Sequence, residues 1–224
     1  MKPRLLPRSE AALTLFEVGV VIAILVVLPA VLLPTLAATK RKSSRVFCTN
    51  NLKQIGLAYR IWAGDNNDTY PMGVPVTNGG SMELVATGNV VQTFQVMSNE
   101  LSTVRILICD GDSDHAGDVN RTYATNFYAL SNSNVSYFVG VGVISDANPP
   151  MILSGDSDFE SGGRPPKTGL LSLGTNDPVA WQPLWHGRSG NLGFNDGSVQ
   201  TVNASGLHRY LVNGGFATNR LAIP

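Results

Sequence analysis

The apolar positions of the chain are unevenly distributed, and the longest uninterrupted run lies near the N-terminus. Residues 13–38 read LTLFEVGVVIAILVVLPAVLLPTLAA and contain one charged side chain, Glu17. From Val18 onward, 21 consecutive residues of this run are uncharged, and as a helix they would extend about 31 Å. Because the hydrocarbon core of a bilayer is about 30 Å thick, the run predicts a membrane-spanning helix.

A second pattern, with helical periodicity, follows the apolar run. Its apolar residues recur at spacings of three and four, which is typical of one buried helix face. These residues are Leu52, Ile55, Tyr59 and Trp62. The turn-forming stretch GDNND begins at Gly64 and predicts the end of the helix there. Since nothing between Ala38 and Phe47 breaks a helix, we expect one helix of about 50 residues.

Beyond residue 68 the pattern changes to short apolar runs separated by Gly, Pro, Asn and Ser, which predicts strands and turns. The predicted strands are residues 104–109, 135–143, 151–154, 190–194 and 199–202, and a short helix is expected to close at residues 99–101. The predicted fold class is α+β. A long N-terminal helix would pack its amphipathic half on a small, mostly antiparallel sheet.

The charge balance excludes one class of partner. The whole chain has 16 basic and 16 acidic residues, but from Val46 onward there are nine Lys and Arg against fourteen Asp and Glu, a net charge of −5. Nucleic-acid binding needs a basic face, so none is expected here. The basic cluster at residues 40–45 is suited to lipid headgroups beside the predicted span.

Two features of the N-terminus leave alternatives open. Lys2, Arg4 and Arg8 precede the apolar run and a basic cluster follows it, so the positive-inside rule does not decide the orientation. The same leader, with Ala37 and Ala38 before a cleavage site, also fits a secretory signal peptide, although the apolar run exceeds the usual length of about 7–15 residues.

The two cysteines, Cys48 and Cys109, lack the spacing of a metal site. If the head faces an oxidising compartment, a disulfide between them would stabilise the fold by roughly 4 kcal/mol in the chain-entropy model. Two buried free thiols are the alternative. We expect the disulfide, because both flanking segments are predicted to face the core.

Glu17 has a simple local explanation. The sequence Thr14-x-x-Glu17 fits a capping box, in which the glutamate side chain accepts from a backbone N–H at the start of a helix. Insertion of an acidic group at the centre of a membrane helix would cost about 3 kcal/mol, whereas the cost near the interface is smaller.

The residues around Glu17 also carry a family resemblance. A short basic leader, then Ala12, Leu13 and the LTLFE run, resembles the N-terminal signal of type IV pilins and type II secretion pseudopilins. The resemblance implies that a prepilin peptidase cleaves between Ala12 and Leu13 and methylates the new amino terminus, which makes Glu17 the fifth mature residue. The family usually has Gly and Phe at this bond. Pro34 corresponds to a helix-bending proline of pilins.

The C-terminal half carries a second part of the resemblance. In WHGRSGNLGFNDGSVQTV, His186 is followed after nine residues by Asp196 and Gly197, a signature of a bacterial subgroup of these proteins. The stretch also predicts a hairpin with its turn at Asp196 and Gly197. A purely structural role for His186, Asp196 and Gly197 and a role in processing or partner recognition both remain open.

Candidate metal ligands occur in DGDSDHAGD, where Asp110, Asp112 and Asp114 alternate as in a calcium loop. An EF-hand would need Gly at the sixth position and Glu at the twelfth, which here are His115 and Arg121. Some pseudopilins bind calcium in loops of this kind. Calcium is therefore a candidate cofactor, and a solvated acidic loop is the alternative. GDSDFE, with Asp156 and Asp158, is read as a second acidic loop.

The sequence indicates a structural protein rather than an enzyme, because common catalytic motifs such as GxSxG, HExxH and the P-loop are absent from it. The expected organisation is a leader at residues 1–12, a transmembrane polymerisation helix at 13–38, its amphipathic continuation at 39–63 and a β-rich head at 64–224.

The predicted function is a pilus or pseudopilus subunit of the bacterial inner membrane, with its head in the periplasm. Its expected partners are the prepilin peptidase, the membrane and other pilin-like subunits. The alternative is a membrane-anchored module that binds a glycan or calcium and does not polymerise.

Overall fold

The computed structural model describes residues 14–113, 121–146, 150–183 and 185–224, without the side chains of residues 34–41 and 113. The chain divides into two compact units, Met1–Lys40 and Arg41–Pro224. The second unit is the head, and it combines helices with a mostly antiparallel sheet. The predicted α+β class is therefore confirmed.

The first helix begins and ends close to the predicted positions. Helix α1 covers Leu15–Gly64, which is 50 residues. It stops where Asn67 and Asp68 adopt positive φ angles of 54° and 55°, a conformation that Asn and Asp tolerate better than most residues. The Asp68 N–H donates to the Ala63 carbonyl at 2.9 Å, which satisfies one of the terminal carbonyl groups of the helix.

The head part of α1 buries the predicted face. Leu52, Ile55, Tyr59 and Trp62 are at most 6% exposed, whereas Lys53 and Arg60 on other faces are exposed. The rings of Tyr59 and Tyr70 pack edge to face with centroids 5.6 Å apart. Burial of each large apolar side chain stabilises the head by roughly 1.5–3 kcal/mol.

The described residues of the head contain four further α-helices and eight strands. The helices are α2 (Met82–Val85), α3 (Val90–Val96), α4 (Asp110–Ser113) and α5 (Ala204–Asn213). The strands are β1 (Tyr137–Gly140), β2 (Ile152–Asp156), β3 (Phe159–Ser161), β4 (Gly169–Gly174), β5 (Val179–Trp181), β6 (Gly190–Phe194), β7 (Val199–Val202) and β8 (Thr218–Ile223). Short 3-10 turns join several of these elements.

Six strands form one sheet in the order β4-β8-β1-β2-β6-β7, and every neighbouring pair is antiparallel. Strands β3 and β5 form a separate antiparallel pair. In the β1–β2 pair Tyr137 lies opposite Asp156, and in the β2–β6 pair Gly155 lies opposite Leu192. This register places the last residue of β2 beside the start of β6.

The sheet separates two apolar clusters, because successive side chains of a strand point to opposite faces. Tyr137 and Val139 of β1 belong to the cluster that contains the buried residues of α1. Phe138 of the same strand belongs to the cluster with Leu207 and Leu211 of α5. The head is therefore a sheet covered by α1 on one face and α5 on the other.

Several sequence predictions of secondary structure need correction. Residues 190–194 and 199–202 are strands as predicted, and the strands predicted at 135–143 and 151–154 are present with different bounds. Residues 104–109 are not a strand, because Val104–Leu107 forms a 3-10 turn after Thr103, whose hydroxyl accepts from the Arg105 N–H. Apart from Arg105 the run is apolar, and its composition alone does not separate a strand from a buried turn. Strands β3, β4, β5 and β8 and helix α5 were not predicted.

Candidate functional site

The start of α1 carries the first candidate feature. The Thr14 N–H and hydroxyl donate to Glu17 Oε2 at 2.7 and 2.9 Å, and the Glu17 N–H donates back to the Thr14 hydroxyl at 3.3 Å. Both halves of the predicted capping box are therefore made. Ala12 and Leu13, the predicted cleavage site, lie outside the described residues.

The apolar part of α1 that follows Glu17 is exposed at every position whose side chain is described. Every residue at positions 14–33 is exposed, including Leu15 at 94% and Phe16 at 78%. Leu15–Leu33 is long and apolar enough to cross a membrane, a property that signal sequences share. Pro34 lies within α1, but its side chain is outside the described part, so the expected bend stays a prediction.

The second candidate feature is the predicted disulfide, which the structure contains. Cys48 on α1 is bonded to Cys109, the residue before α4, with the two Cα atoms 5.4 Å apart. Both residues are fully buried. The bond closes a loop between residues separated by 61 positions, and in the chain-entropy model it stabilises the head by about 4 kcal/mol.

His186 lies against this disulfide. Its Nε2 atom is 3.3 Å from the Cys109 sulfur and 3.5 Å from Asp156 Oδ2, and the residue is 1% exposed. Nδ1 is buried and accepts or donates no hydrogen bond among the described residues, so Nε2 is the ring nitrogen that meets polar groups. The His186 carbonyl accepts from Arg45 and from the Ser189 hydroxyl, which ties the loop before β6 to α1.

The two ends of the His186, Asp196 and Gly197 signature serve different purposes. Asp196 and Gly197 form the predicted turn between β6 and β7, where Gly197 has a φ of 82° and Asp196 accepts from the Ser198 N–H at 2.8 Å. His186 precedes β6 and Asp196 follows it, so a strand of five residues, about 17 Å long, separates them. The signature residues therefore hold opposite ends of β6 and do not form one site.

Asp156 is held by Asn191 at the start of β6. The Asn191 N–H and side-chain amide donate to Asp156 Oδ2 at 2.8 and 2.9 Å, while the Asn191 side-chain oxygen accepts from the hydroxyls of Thr49 and Thr201. The second carboxylate oxygen, Oδ1, is buried and has no hydrogen-bond partner in the part of the chain that the structure describes. One amide thus connects α1, β2, β6 and β7 at the disulfide.

Burial shifts the ionisation of this cluster. Burial raises the pKa of Asp156 to about 7, although the hydrogen bonds from Asn191 oppose the shift. Burial lowers the pKa of His186 to about 4, and the nearby charge of Arg45 acts in the same direction. The imidazole is therefore neutral at pH 7, and its contact with Asp156 is not an ion pair at that pH.

Asp158 completes the cluster. Its Oδ2 atom accepts from the Trp185 N–H at 3.2 Å, and burial raises its pKa to about 8, with a further contribution from the charge of Asp156. The prediction of a solvated acidic loop in GDSDFE is wrong, because Asp156 is fully buried and Asp158 is 5% exposed.

The candidate calcium loop is only partly described. Asp112 is 4% exposed, and its Oδ2 atom pairs with Arg121 Nε at 2.6 Å and accepts from the Ser136 hydroxyl at 2.6 Å. Asp110 Oδ1 accepts from the Tyr123 hydroxyl at 3.2 Å. Asp114 and His115 lie outside the described residues, so calcium binding stays a prediction, but Asp112 is committed to protein partners.

The sequence contained weak signals for the buried roles of Asn191, which was not among the predicted site residues, and of Asp156. Asn191 is a polar residue inside the apolar strand GNLGF, and Asp156 ends the apolar run MILSGD. A polar residue in a strand that is buried along its whole length needs an internal partner. That rule marks both positions, but it does not pair them with each other.

No family model matches the chain, and no curated protein or solved structure is significantly similar to it. The functional proposal therefore rests on the residues themselves.

Proposed function

We propose that the protein is a filament subunit of the type IV pilus or type II secretion pseudopilus kind. One observation carries the proposal: an exposed apolar helix of membrane length begins at a capped glutamate. Such a helix needs lipid or other apolar helices around it, because exposed apolar surface of this extent is unfavourable in water. Lipid would surround it in the membrane, and neighbouring subunits would surround it in a filament.

Glu17 supplies the specificity of assembly in this proposal. After cleavage between Ala12 and Leu13, the new amino terminus of one subunit would carry a positive charge. The carboxylate of a neighbour would neutralise it among apolar helices, where either charge alone is costly. The observed bonds from Thr14 use Oε2, so the capping role and the pairing role are compatible.

The properties of the head support a location outside the cytoplasm. A buried disulfide is typical of proteins that fold in oxidising compartments. We place the protein in a bacterial inner membrane as a single-pass subunit with its head in the periplasm. Prepilin peptidase and other pilin-like subunits are its proposed partners. The head's net charge of −5 from Val46 onward disfavours nucleic acid.

We assign no catalytic activity. The His186 and Asp156 pair resembles a catalytic pair in composition, but the residues are 1% and 0% exposed. A general base has to reach the proton that it removes, and an enclosed imidazole does not reach an external substrate.

Shearing of cells of the native host tests the proposal. A filament subunit is released into the sheared extracellular fraction as polymer, which immunogold microscopy identifies. If the protein stays entirely in the membrane fraction under conditions in which the host makes filaments, it is not a filament subunit.

A second candidate is an anchored module that binds a neutral glycan and does not polymerise. A surface cavity of about 510 Å³ favours it. The cavity is lined by amide, hydroxyl and aromatic side chains, among them Gln92, Gln95, Ser98, Asn126, Phe127 and Tyr128. Tyr128 is 97% exposed, and an exposed ring beside amides is suited to stack on a sugar and bind its hydroxyls. This candidate predicts no protein in the sheared fraction.

A further inference from the structure

The disulfide and His186 bring three metal-binding atoms together inside the head. The two cysteine sulfurs and a histidine ring nitrogen all lie within 4.8 Å of one another, and all three residues are buried. Thiolates and a neutral imidazole are the ligands that Zn²⁺ prefers. In the oxidised protein the sulfurs are bonded to each other, so they do not act as thiolates.

The spacing of these atoms fits a tetrahedral zinc centre once the sulfurs separate. Zinc bonds of about 2.3 Å to sulfur and 2.0 Å to nitrogen place a sulfur and a nitrogen ligand about 3.5 Å apart, and two sulfurs about 3.8 Å apart. His186 Nε2 is already 3.3 Å from the Cys109 sulfur. The Cys48 sulfur lies within 4.8 Å of the ring nitrogen. The sulfur–sulfur distance has to increase, and breaking the covalent bond permits that increase.

The surroundings of the three atoms favour a cation. Asp156 Oδ2 lies 3.5 Å from His186 Nε2, and the other oxygen of this carboxylate has no hydrogen-bond partner. Asn191 holds the carboxylate in place through two hydrogen bonds. A metal-bound Nε2 has no proton to donate to this carboxylate, so Asp156 would act on the site through its negative charge, which offsets part of the cost of burying a divalent cation.

We propose that Cys48, Cys109 and His186 form a zinc site when the disulfide is reduced, with solvent completing the coordination. The head would then have two alternative internal crosslinks. The disulfide joins α1 to the segment before α4, and the zinc site would join both of these to the loop before β6. The oxidised form is held by the disulfide, and the reduced form is held by the metal. The property does not depend on filament assembly.

A phosphine reductant and one water convert the disulfide to two thiols. The phosphine takes the water oxygen and becomes the phosphine oxide, and the two water hydrogens end on the sulfurs. Zn²⁺ then binds the two thiols as thiolates and releases two protons. A dithiol reductant gives the same two thiols and leaves with its own disulfide.

The test uses the full chain in detergent. Both cysteines are fully buried, so the protein is reduced with phosphine in urea and returned to buffer with phosphine present, and a thiol assay in denaturant verifies the reduction. Co²⁺ and then Zn²⁺ are added. We expect the reduced protein to bind one Co²⁺ with a sulfur-to-cobalt charge-transfer band and the visible bands of a tetrahedral site, to exchange it for Zn²⁺, and the oxidised protein to bind neither.

Variants separate this site from metal binding by unfolded thiols. His186→Ala should weaken Zn²⁺ binding at least about tenfold, whereas His208→Ala, a change of an exposed histidine, should have no effect. If reduced wild type binds no metal, or if His186→Ala binds as tightly as wild type, the proposal is wrong.

X-ray absorption spectroscopy of the zinc-loaded wild type identifies the zinc ligands, so it tests the proposed site even if His186→Ala fails to fold. The site predicts two sulfur ligands at about 2.3 Å and one imidazole nitrogen at about 2.0 Å. A shell without imidazole, or with fewer than two sulfurs, would overturn the assignment.

Discussion

Asp156 Oδ2 accepts two hydrogen bonds from Asn191, at 2.8 Å from its backbone N–H and 2.9 Å from its side-chain amide. This pair joins the end of β2 to the start of β6, directly beside the disulfide and His186. Since Asn191 also accepts from Thr49 on α1 and Thr201 on β7, the strength of this junction can be tested by changing one residue.

Asn191→Ala should destabilise the head by about 2–4 kcal/mol. The change removes the side-chain donor to a buried carboxylate, although the backbone N–H at position 191 still donates to it. It also leaves the Thr201 hydroxyl without its acceptor, and each buried polar group left without a partner costs about 1–3 kcal/mol. Urea unfolding of the oxidised protein measures the loss. Asn99→Ala, at an exposed position, is the matched control, and equal stability of the two variants would contradict the role of Asn191.

The disulfide should account for about 2–5 kcal/mol of the free energy of unfolding. Cys48→Ser/Cys109→Ser should unfold at correspondingly lower urea, because the unfolded chain loses the closed loop of 61 positions. Alkylation under non-reducing conditions should find no free thiol in the native wild type. Two alkylated cysteines in protein from the native host would contradict both the bond and the proposed location of the head.

Asp158 should make stability depend on pH. Burial raises its native pKa from 3.8 to about 8. Between these two values the native state binds a proton that the unfolded state does not, so the free energy of unfolding falls as pH rises, by up to about 1.4 kcal/mol per pH unit. The destabilisation is complete above pH 8 and disappears as pH falls towards 4.

Asp158→Asn isolates this contribution, since the amide oxygen can still accept from the Trp185 N–H. The variant should be more stable than wild type at pH 8.5, and the difference should shrink steadily towards pH 4. Urea unfolding across this range measures the difference curve. A difference that does not change with pH would show that Asp158 keeps an ordinary pKa.

Glu17→Gln should insert into the membrane and fold but be depleted from filaments. Gln keeps the size of the side chain and an oxygen for the cap, but it removes the charge that would neutralise a neighbouring amino terminus. Quantitative immunoblotting of membrane and sheared fractions measures the distribution.

Thr14→Ala is the matched control for Glu17→Gln. It removes the hydroxyl that contacts Glu17 and keeps the charge, so it should assemble. If Glu17→Gln enters filaments as well as wild type, Glu17 is only a helix cap.

Cleavage should fall between Ala12 and Leu13 and leave an N-methylated leucine, because this cut makes Glu17 the fifth residue. Mass spectrometry of the N-terminal peptide of the protein from the native host identifies the first residue and its methylation. A terminus at Met1 would refute processing, and a terminus at Thr39 would identify an ordinary signal peptide.

Local sequence determined the features whose physical cause is local. Spacings of three and four specified the buried face of α1, the GDNND stretch specified its end, and Asp196 and Gly197 specified the turn between β6 and β7. Thr14 and Glu17 specified the cap in the same way. Each of these features depends on contacts within a few residues, so periodicity and turn chemistry were sufficient to predict it.

Tertiary structure decided the features that depend on distant residues. Val104–Leu107 is a 3-10 turn and not the predicted strand. The end of this segment is held by distant partners, because the Leu107 carbonyl accepts from the Ser136 N–H and the Ile108 carbonyl accepts from the Asn51 side chain. Asp156 and Asp158 of GDSDFE are buried because β2 ends beside β6. There the Asn191 side chain donates to Asp156 and the Trp185 N–H donates to Asp158. His186 reached the disulfide across 77 positions, and only packing of the sheet on α1 brings those groups together.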